Sequence, residues 1–196
     1  MKNYYHKYFE DYEEERVPNR DGKGTHIEHK YVGYYYRLGV KRITRIALRL
    51  LYLVLGCLAA ACLLFGAARM AHCNTLPVMV ILQAVTLLLL IWFVWVLLYY
   101  IFVPENMTSY KYKSTALQML KVCKWLSVVF FLDAASVLAD ILINKNTAQE
   151  QIICLAAYIA GGMVAVILRT VERALPYERL SNDKEITWYR EKNGWR

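Results

Sequence analysis

Residues 76–103 read LPVMVILQAVTLLLLIWFVWVLLYYIFV, a run of 28 positions without a charged side chain. A helix needs about 20 mostly apolar residues to cross the roughly 30 Å hydrocarbon core of a bilayer. Aromatic residues gather near the end of this run, as they do where lipid meets water. They include Trp92, Trp95 and Tyr99. The run therefore predicts a membrane-spanning helix.

Three further segments have the length and composition of membrane spans: residues 46–68, 122–143 and 151–168. The whole chain has the same bias, because 58% of its 196 residues are apolar and 20% are charged, against about 45–50% and about 25% in soluble domains. A backbone in lipid must satisfy its own hydrogen bonds, so each span is predicted to be helical. We predict an all-α integral membrane protein with four transmembrane helices arranged as two hairpins.

The basic residues are distributed unevenly along the chain. Of the 24 Lys and Arg residues, 22 lie in or beside the two terminal segments and the connection between the second and third spans. Basic flanks stay in the cytoplasm, so both termini are predicted to be cytoplasmic in an inner or plasma membrane. The predicted parts are a cytoplasmic Tyr-rich segment (1–37), a transmembrane domain (38–175) and a cytoplasmic tail (176–196). This distribution accounts for the net charge of +8, and no nucleic-acid partner is expected.

Two amphipathic segments flank the spans. Residues 38–50 read LGVKRITRIALRL, which places apolar and basic side chains on opposite faces of a helix. Each basic side chain near anionic lipid contributes about 1 kcal/mol to binding, so the bilayer with its anionic lipids is a predicted partner. The predicted headgroup contacts are Lys41, Arg42, Arg45 and Arg49. A second short helix is predicted over residues 183–191.

Two acids lie within the third span. Asp133 and Asp140 are two helical turns apart and share a face with Ser136. A carboxylate in hydrocarbon must face protein or water, so a polar seam with the neighbouring spans is predicted. Three interpretations stay open: a proton or cation relay, a hydrogen-bonded clasp within the bundle, and a clasp to a partner subunit. The other predicted members of the seam are Gln83, Thr86 and Tyr158.

Small residues recur at four-residue spacing in two spans, a pattern that lets helices approach closely. The fourth span carries Ala157, Gly161 and Ala165, and the first carries Gly56 and Ala60. The pattern predicts helix packing, either within the bundle or against another subunit.

No catalytic constellation is visible, so no enzyme activity, cofactor or metal is predicted. The five cysteines include no CxxC motif, although Cys73 and Cys154 could meet near the outer surface and form a disulfide. The tyrosine-rich amino segment suits either lipid headgroups or a docking surface. We expect a non-catalytic subunit or assembly partner that binds other membrane proteins or a second copy of itself. The alternative is a small transporter or channel component that uses Asp133 and Asp140 for proton or cation coupling.

Overall fold

The computed structural model describes residues 12–19, 24–31, 33–144 and 149–180, without the side chains of residues 12–15 and 28–30. The chain divides into two units. One contains residues 40–103 and 113–176, and the other contains residues 1–39, 104–112 and 177–196. The helix predicted over residues 183–191 lies outside the described residues.

Four long helices form the first unit, and all four are long and apolar enough to cross a membrane. This confirms that the chain has four long apolar helices, at about the predicted positions. Prolines mark several ends: Pro77 is the first residue of the second long helix, where its fixed φ and missing N–H are tolerated. The long helices are α1 (Arg42–Ala67), α2 (Pro77–Phe102), α4 (Ala116–Asn144) and α5 (Gln149–Ala174), with a 3-10 helix at His72–Thr75 and a short α3 at Ser109–Ser114.

The long helices pack as a closed ring of neighbours. Helix α1 contacts α2 and α5, and α4 contacts α2 and α5, the α4–α5 contact being the most extensive. The largest buried side chains fill the centre, and Tyr52, Phe93, Phe130 and Tyr158 are fully inaccessible. We call the end at which α1 leads to α2 and α4 leads to α5 the turn end of the bundle, and the opposite end the terminal end.

The small residues make room for aromatic rings inside the bundle. A Cβ atom on Gly161 would lie 2.5 Å from Phe130, and one on Gly56 would lie 2.6 Å from Phe93. Ala165 is fully buried and Ala157 nearly so, whereas Ala60 is partly exposed. In this structure the predicted helix-packing pattern is used within the chain.

The amphipathic segment differs from its prediction. Its last nine residues form the beginning of α1, and Lys41 and Arg42 are exposed. Arg45 is only 9% exposed, and Arg49 is half-buried and donates to the Val103 carbonyl at 3.2 Å. Two of the four predicted headgroup residues are therefore at least half enclosed by protein, and the contact with lipid headgroups stays a prediction.

The second unit contains strands, so the all-α prediction is incomplete. Strands β1 (Tyr12–Pro18) and β2 (Thr25–Tyr31) form an antiparallel hairpin. A three-stranded antiparallel sheet has β3 (Tyr35–Leu38) in the middle, between β4 (Asn106–Thr108) and β5 (Tyr177–Leu180). The sheet thus joins the segment before α1, the connection after α2 and the segment after α5.

Tyrosines from three separate segments pack together beside this sheet. The Tyr36 and Tyr112 rings stack with their centroids 4.3 Å apart, and Tyr177 meets Tyr112 edge to face at 5.1 Å. Tyr31 accepts a hydrogen bond from the Ser109 amide at 2.9 Å. Several of the tyrosines therefore pack against one another within this unit.

Candidate functional site

The carboxylate of Asp140 is the centre of a polar cluster at the turn end of the bundle. It accepts hydrogen bonds from the amides of Asn144 at 2.6 Å and Gln151 at 2.7 Å. The Nδ1 atom of His72 lies 3.1 and 3.2 Å from its two oxygens. The Asp140 side chain is 1% exposed, whereas that of His72 is 51% exposed. A buried carboxylate is thus linked to the surface through one imidazole.

This cluster joins three elements of the bundle. His72 belongs to the 3-10 helix, Asp140 and Asn144 are one turn apart on α4, and Gln151 lies in the first turn of α5. Hydrogen bonds to an ionised acceptor are stronger than those between neutral groups, so the carboxylate can hold the three elements together. The arrangement fits a clasp between the two hairpins.

A cavity of about 360 Å³ opens beside the cluster. Ser136, one of the predicted seam residues, is half-buried and lines it together with Asp140 and Asn144. The remaining lining is almost entirely apolar, so the cavity offers one polar wall and an otherwise lipid-like interior. The other lining residues are Cys73, Leu76, Val78, Met79, Ala139 and Ile143.

Asp133 lies deeper in the bundle and has a different environment. Its Oδ2 atom is 2.8 Å from the Thr86 hydroxyl, which also lies 3.0 Å from the Leu82 carbonyl. Its Oδ1 atom is buried and has no hydrogen-bond partner among the described residues. Asp133 is fully inaccessible. The carboxylate of Asp140 therefore has several hydrogen-bond partners, whereas that of Asp133 has one within the part of the chain that the structure describes.

Gln83 and Tyr158 form a third polar group with a residue that the sequence analysis missed. The Gln83 amide donates to the Tyr158 hydroxyl at 2.9 Å and to the Asn74 side-chain oxygen at 2.8 Å. Asn74 in turn donates to the Gly66 carbonyl at 2.9 Å and to the Arg69 carbonyl at 2.8 Å, and so caps the end of α1. The sequence predicted one continuous polar seam, whereas the hydrogen bonds in the structure form three separate groups.

The three polar groups described above lie in the half of the bundle that contains the turn end. Between Asp133 and the terminal end, fully buried apolar side chains such as Phe93, Leu126 and Phe130 fill the centre. In the described part of that layer, Ser127 is the buried polar exception, and its hydroxyl donates to the Lys124 carbonyl. The structure therefore has an apolar layer about two helical turns deep, or roughly 11 Å.

A further buried acid lies below this layer. Glu172 accepts a hydrogen bond from the Tyr52 hydroxyl at 2.5 Å, and both residues are almost completely inaccessible. The sequence analysis missed Glu172 because it lies between basic residues of the fourth-span flank, where an acid is unremarkable. Asn144 could have been found from its i+4 spacing to Asp140, whereas His72 and Asn74 lie in a turn that has no periodic pattern.

In the described ranges, no group of three or more His, Cys, Asp or Glu side chains is placed to hold a metal ion. No protein-family model matches this chain, and no match was found among curated proteins or solved structures. Any functional conclusion therefore rests on the geometry given above.

Proposed function

We propose that the chain is a non-catalytic, multi-pass membrane subunit with both termini in the cytoplasm, which binds another membrane protein or a second copy of itself. The observation that carries this proposal is the apolar layer between Asp133 and the Tyr52–Glu172 pair. A conduit needs a continuous polar or hydrated path, and here the apolar layer separates the polar groups near the turn end from the Tyr52–Glu172 pair. The intramembrane acids are best explained as internal clasps.

The three-stranded sheet supports the proposed two-hairpin arrangement. Strands β3, β4 and β5 are hydrogen-bonded to one another, and each belongs to a segment that the basic residues assign to the cytoplasm. Segments paired in one sheet must share one side of a bilayer. The two-hairpin arrangement places these three segments on the same side, so it is consistent with the strand pairing.

The first hairpin is the better candidate for contact with a partner. In the most apolar stretches of α1 and α2, 28% of residues are buried within the chain, against 44% and 50% for the third and fourth spans. Large side chains on α2 remain uncovered, among them Trp95 at 73% exposed and Phe102 at 82%. Aromatic residues are enriched at protein interfaces, so we assign the partner to this face.

Site-specific photo-crosslinking in native membranes tests this assignment. A photoreactive phenylalanine analogue at Trp95 should give a discrete protein adduct. The same analogue at Ile167, an exposed position of α5, is the matched control and should give lipid adducts alone. Lipid adducts at both positions, together with a monomer in mild detergent, would contradict the proposal.

The alternative is a transporter or channel component, and one observation favours it: the Asp140 cavity brings a buried carboxylate to the bundle surface. In that case the purified protein in vesicles should conduct protons or cations, and Asp133→Asn or Asp140→Asn should abolish the flux. Flux no greater than that of protein-free vesicles would exclude this function.

A further inference from the structure

Two cysteines that are far apart in sequence meet at the turn end of the bundle. Cys73 lies in the 3-10 helix between α1 and α2, and Cys154 lies near the beginning of α5. Both side chains are fully inaccessible. A link between them would join the turn of the first hairpin to a helix of the second.

The contacts place the two sulfur atoms around one corner of the backbone. The Cys154 thiol donates to the Gly66 carbonyl at 3.3 Å, and the Asn74 amide donates to the same carbonyl at 2.9 Å. The Cys73 thiol donates to the Asn74 side-chain oxygen at 3.9 Å. Both thiols therefore border the contact between the Asn74 side chain and the Gly66 carbonyl, which makes the two cysteines neighbours.

Disulfide bonding needs such proximity, since the two Cβ atoms must approach to about 3.8 Å. Two short side chains whose sulfur atoms border the same Asn74–Gly66 contact are placed for this approach. The other three cysteines do not share this environment: Cys57 is exposed, Cys62 is half-buried and Cys123 lies near the terminal end.

We propose that Cys73 and Cys154 form a structural disulfide that fastens the first hairpin to the second. The proposal rests on the orientation proposed above, which places the turn end on the outer, oxidising side of the membrane. The bond forms by thiol–disulfide exchange with an oxidised thiol oxidoreductase. The two thiols give up two protons and two electrons to the disulfide of that protein, which leaves as a dithiol.

Burial determines when this bond can form and how it is kept. It raises the pKa of the Cys73 thiol to about 11, so the folded bundle holds little of the reactive thiolate. The exchange therefore belongs to the stage before α5 closes over the 3-10 helix. Once formed, the bond is enclosed, and small reductants should reach it only when the bundle opens.

Differential alkylation of the full-length protein tests the proposal. Cells are quenched in acid, the membranes are denatured with N-ethylmaleimide present, and a second, isotopically heavy maleimide is added after reduction. Cys73 and Cys154 should carry the heavy label, and a Cys73–Cys154 linked peptide should be found before reduction. Cys57, Cys62 and Cys123 are internal controls and should carry the light label.

Light label on all five cysteines would overturn the proposal. A second measurement then shows whether the orientation has failed as well. In a Cys73→Ser, Cys154→Ser variant that also carries Met70→Cys, an impermeant maleimide reports the side of the turn end, because Met70 is fully exposed. Free thiols with labelling from outside overturn the disulfide alone, whereas free thiols with labelling only after lysis overturn both proposals.

Discussion

At the residue scale, the two buried aspartates of α4 differ in how their charge is compensated. Asp140 has three side-chain neighbours that can donate to it, whereas Asp133 has the Thr86 hydroxyl and one unbonded oxygen. A buried polar group that loses its partner costs about 1–3 kcal/mol. Replacement of a poorly compensated polar group by an apolar one is often neutral. The two acids should therefore respond in opposite ways to the same substitution.

We expect Asp140→Leu to lower the free energy of unfolding by about 1–3 kcal/mol, because the buried Gln151 amide would lose its acceptor. Asp133→Leu should leave it unchanged or raise it, since the Thr86 hydroxyl can still donate to the Leu82 carbonyl. Unfolding of the detergent-solubilised variants measures both values. Equal destabilisation by the two substitutions would show that Asp133 is compensated by something other than Thr86.

At the scale of the elements, the long helices fit together through glycines that face aromatic rings. Gly161 meets Phe130, Gly162 meets Phe131 and Gly66 meets Tyr158. Each pair lets a ring lie where another residue would place its Cβ atom. The fit depends on both members of the pair. Stability lost when the glycine is enlarged should therefore be recovered when the facing ring is replaced by a smaller side chain.

Gly161→Ala should therefore destabilise the bundle by about 1–3 kcal/mol through overpacking against Phe130. The double variant Gly161→Ala, Phe130→Leu should recover much of this loss, because the smaller side chain vacates the space. Ala160→Val, at the exposed neighbouring position, is the control and should have little effect. Thermal unfolding in detergent measures all three, and absence of recovery in the double variant would argue against this contact.

The three-stranded sheet should depend on Tyr112, whose ring contacts both Tyr36 and Tyr177. We expect Tyr112→Ala to accelerate hydrogen exchange in β3 and β5, because the aromatic packing beside these strands is lost. Tyr112→Phe retains the ring and should exchange like the unmodified protein. Unchanged exchange in Tyr112→Ala would mean that backbone pairing alone maintains the sheet.

The sequence predicted the long elements far better than the short ones. Each span is a long apolar run, and such a run can satisfy its backbone in lipid only as a helix. Strands β3, β4 and β5 have only three or four residues each, and β4 and β5 follow their partner β3 by about 70 and about 140 residues along the chain. No local alternation predicts pairing of that kind. For the same reason the Asp140 site was found only in part, since His72 and Gln151 come from other elements.

At the scale of the whole molecule, the proposed two-hairpin arrangement places the three paired strands on one side of the membrane. Cysteines introduced at Glu105 and Glu178 should be labelled from the cytoplasmic side, because both exposed positions adjoin the three-stranded sheet. A cysteine at Met70 should be labelled from the outer side. The variants are made in a cysteine-free background. Labelling of intact cells by an impermeant maleimide reports outer positions, and labelling of inverted vesicles reports cytoplasmic positions. Labelling of Glu105→Cys and Glu178→Cys from opposite sides would rule out the two-hairpin arrangement.

The order of strands in the sheet has a consequence for biogenesis. The ribosome makes β3 before any of the four long helices, β4 after two of them and β5 only after the last. Until residues 177–180 have emerged, the central strand lacks one of its two neighbours. Completion of the sheet therefore coincides with completion of the four-helix unit, and a chain stalled after α4 would present an unpaired strand edge to proteases and chaperones.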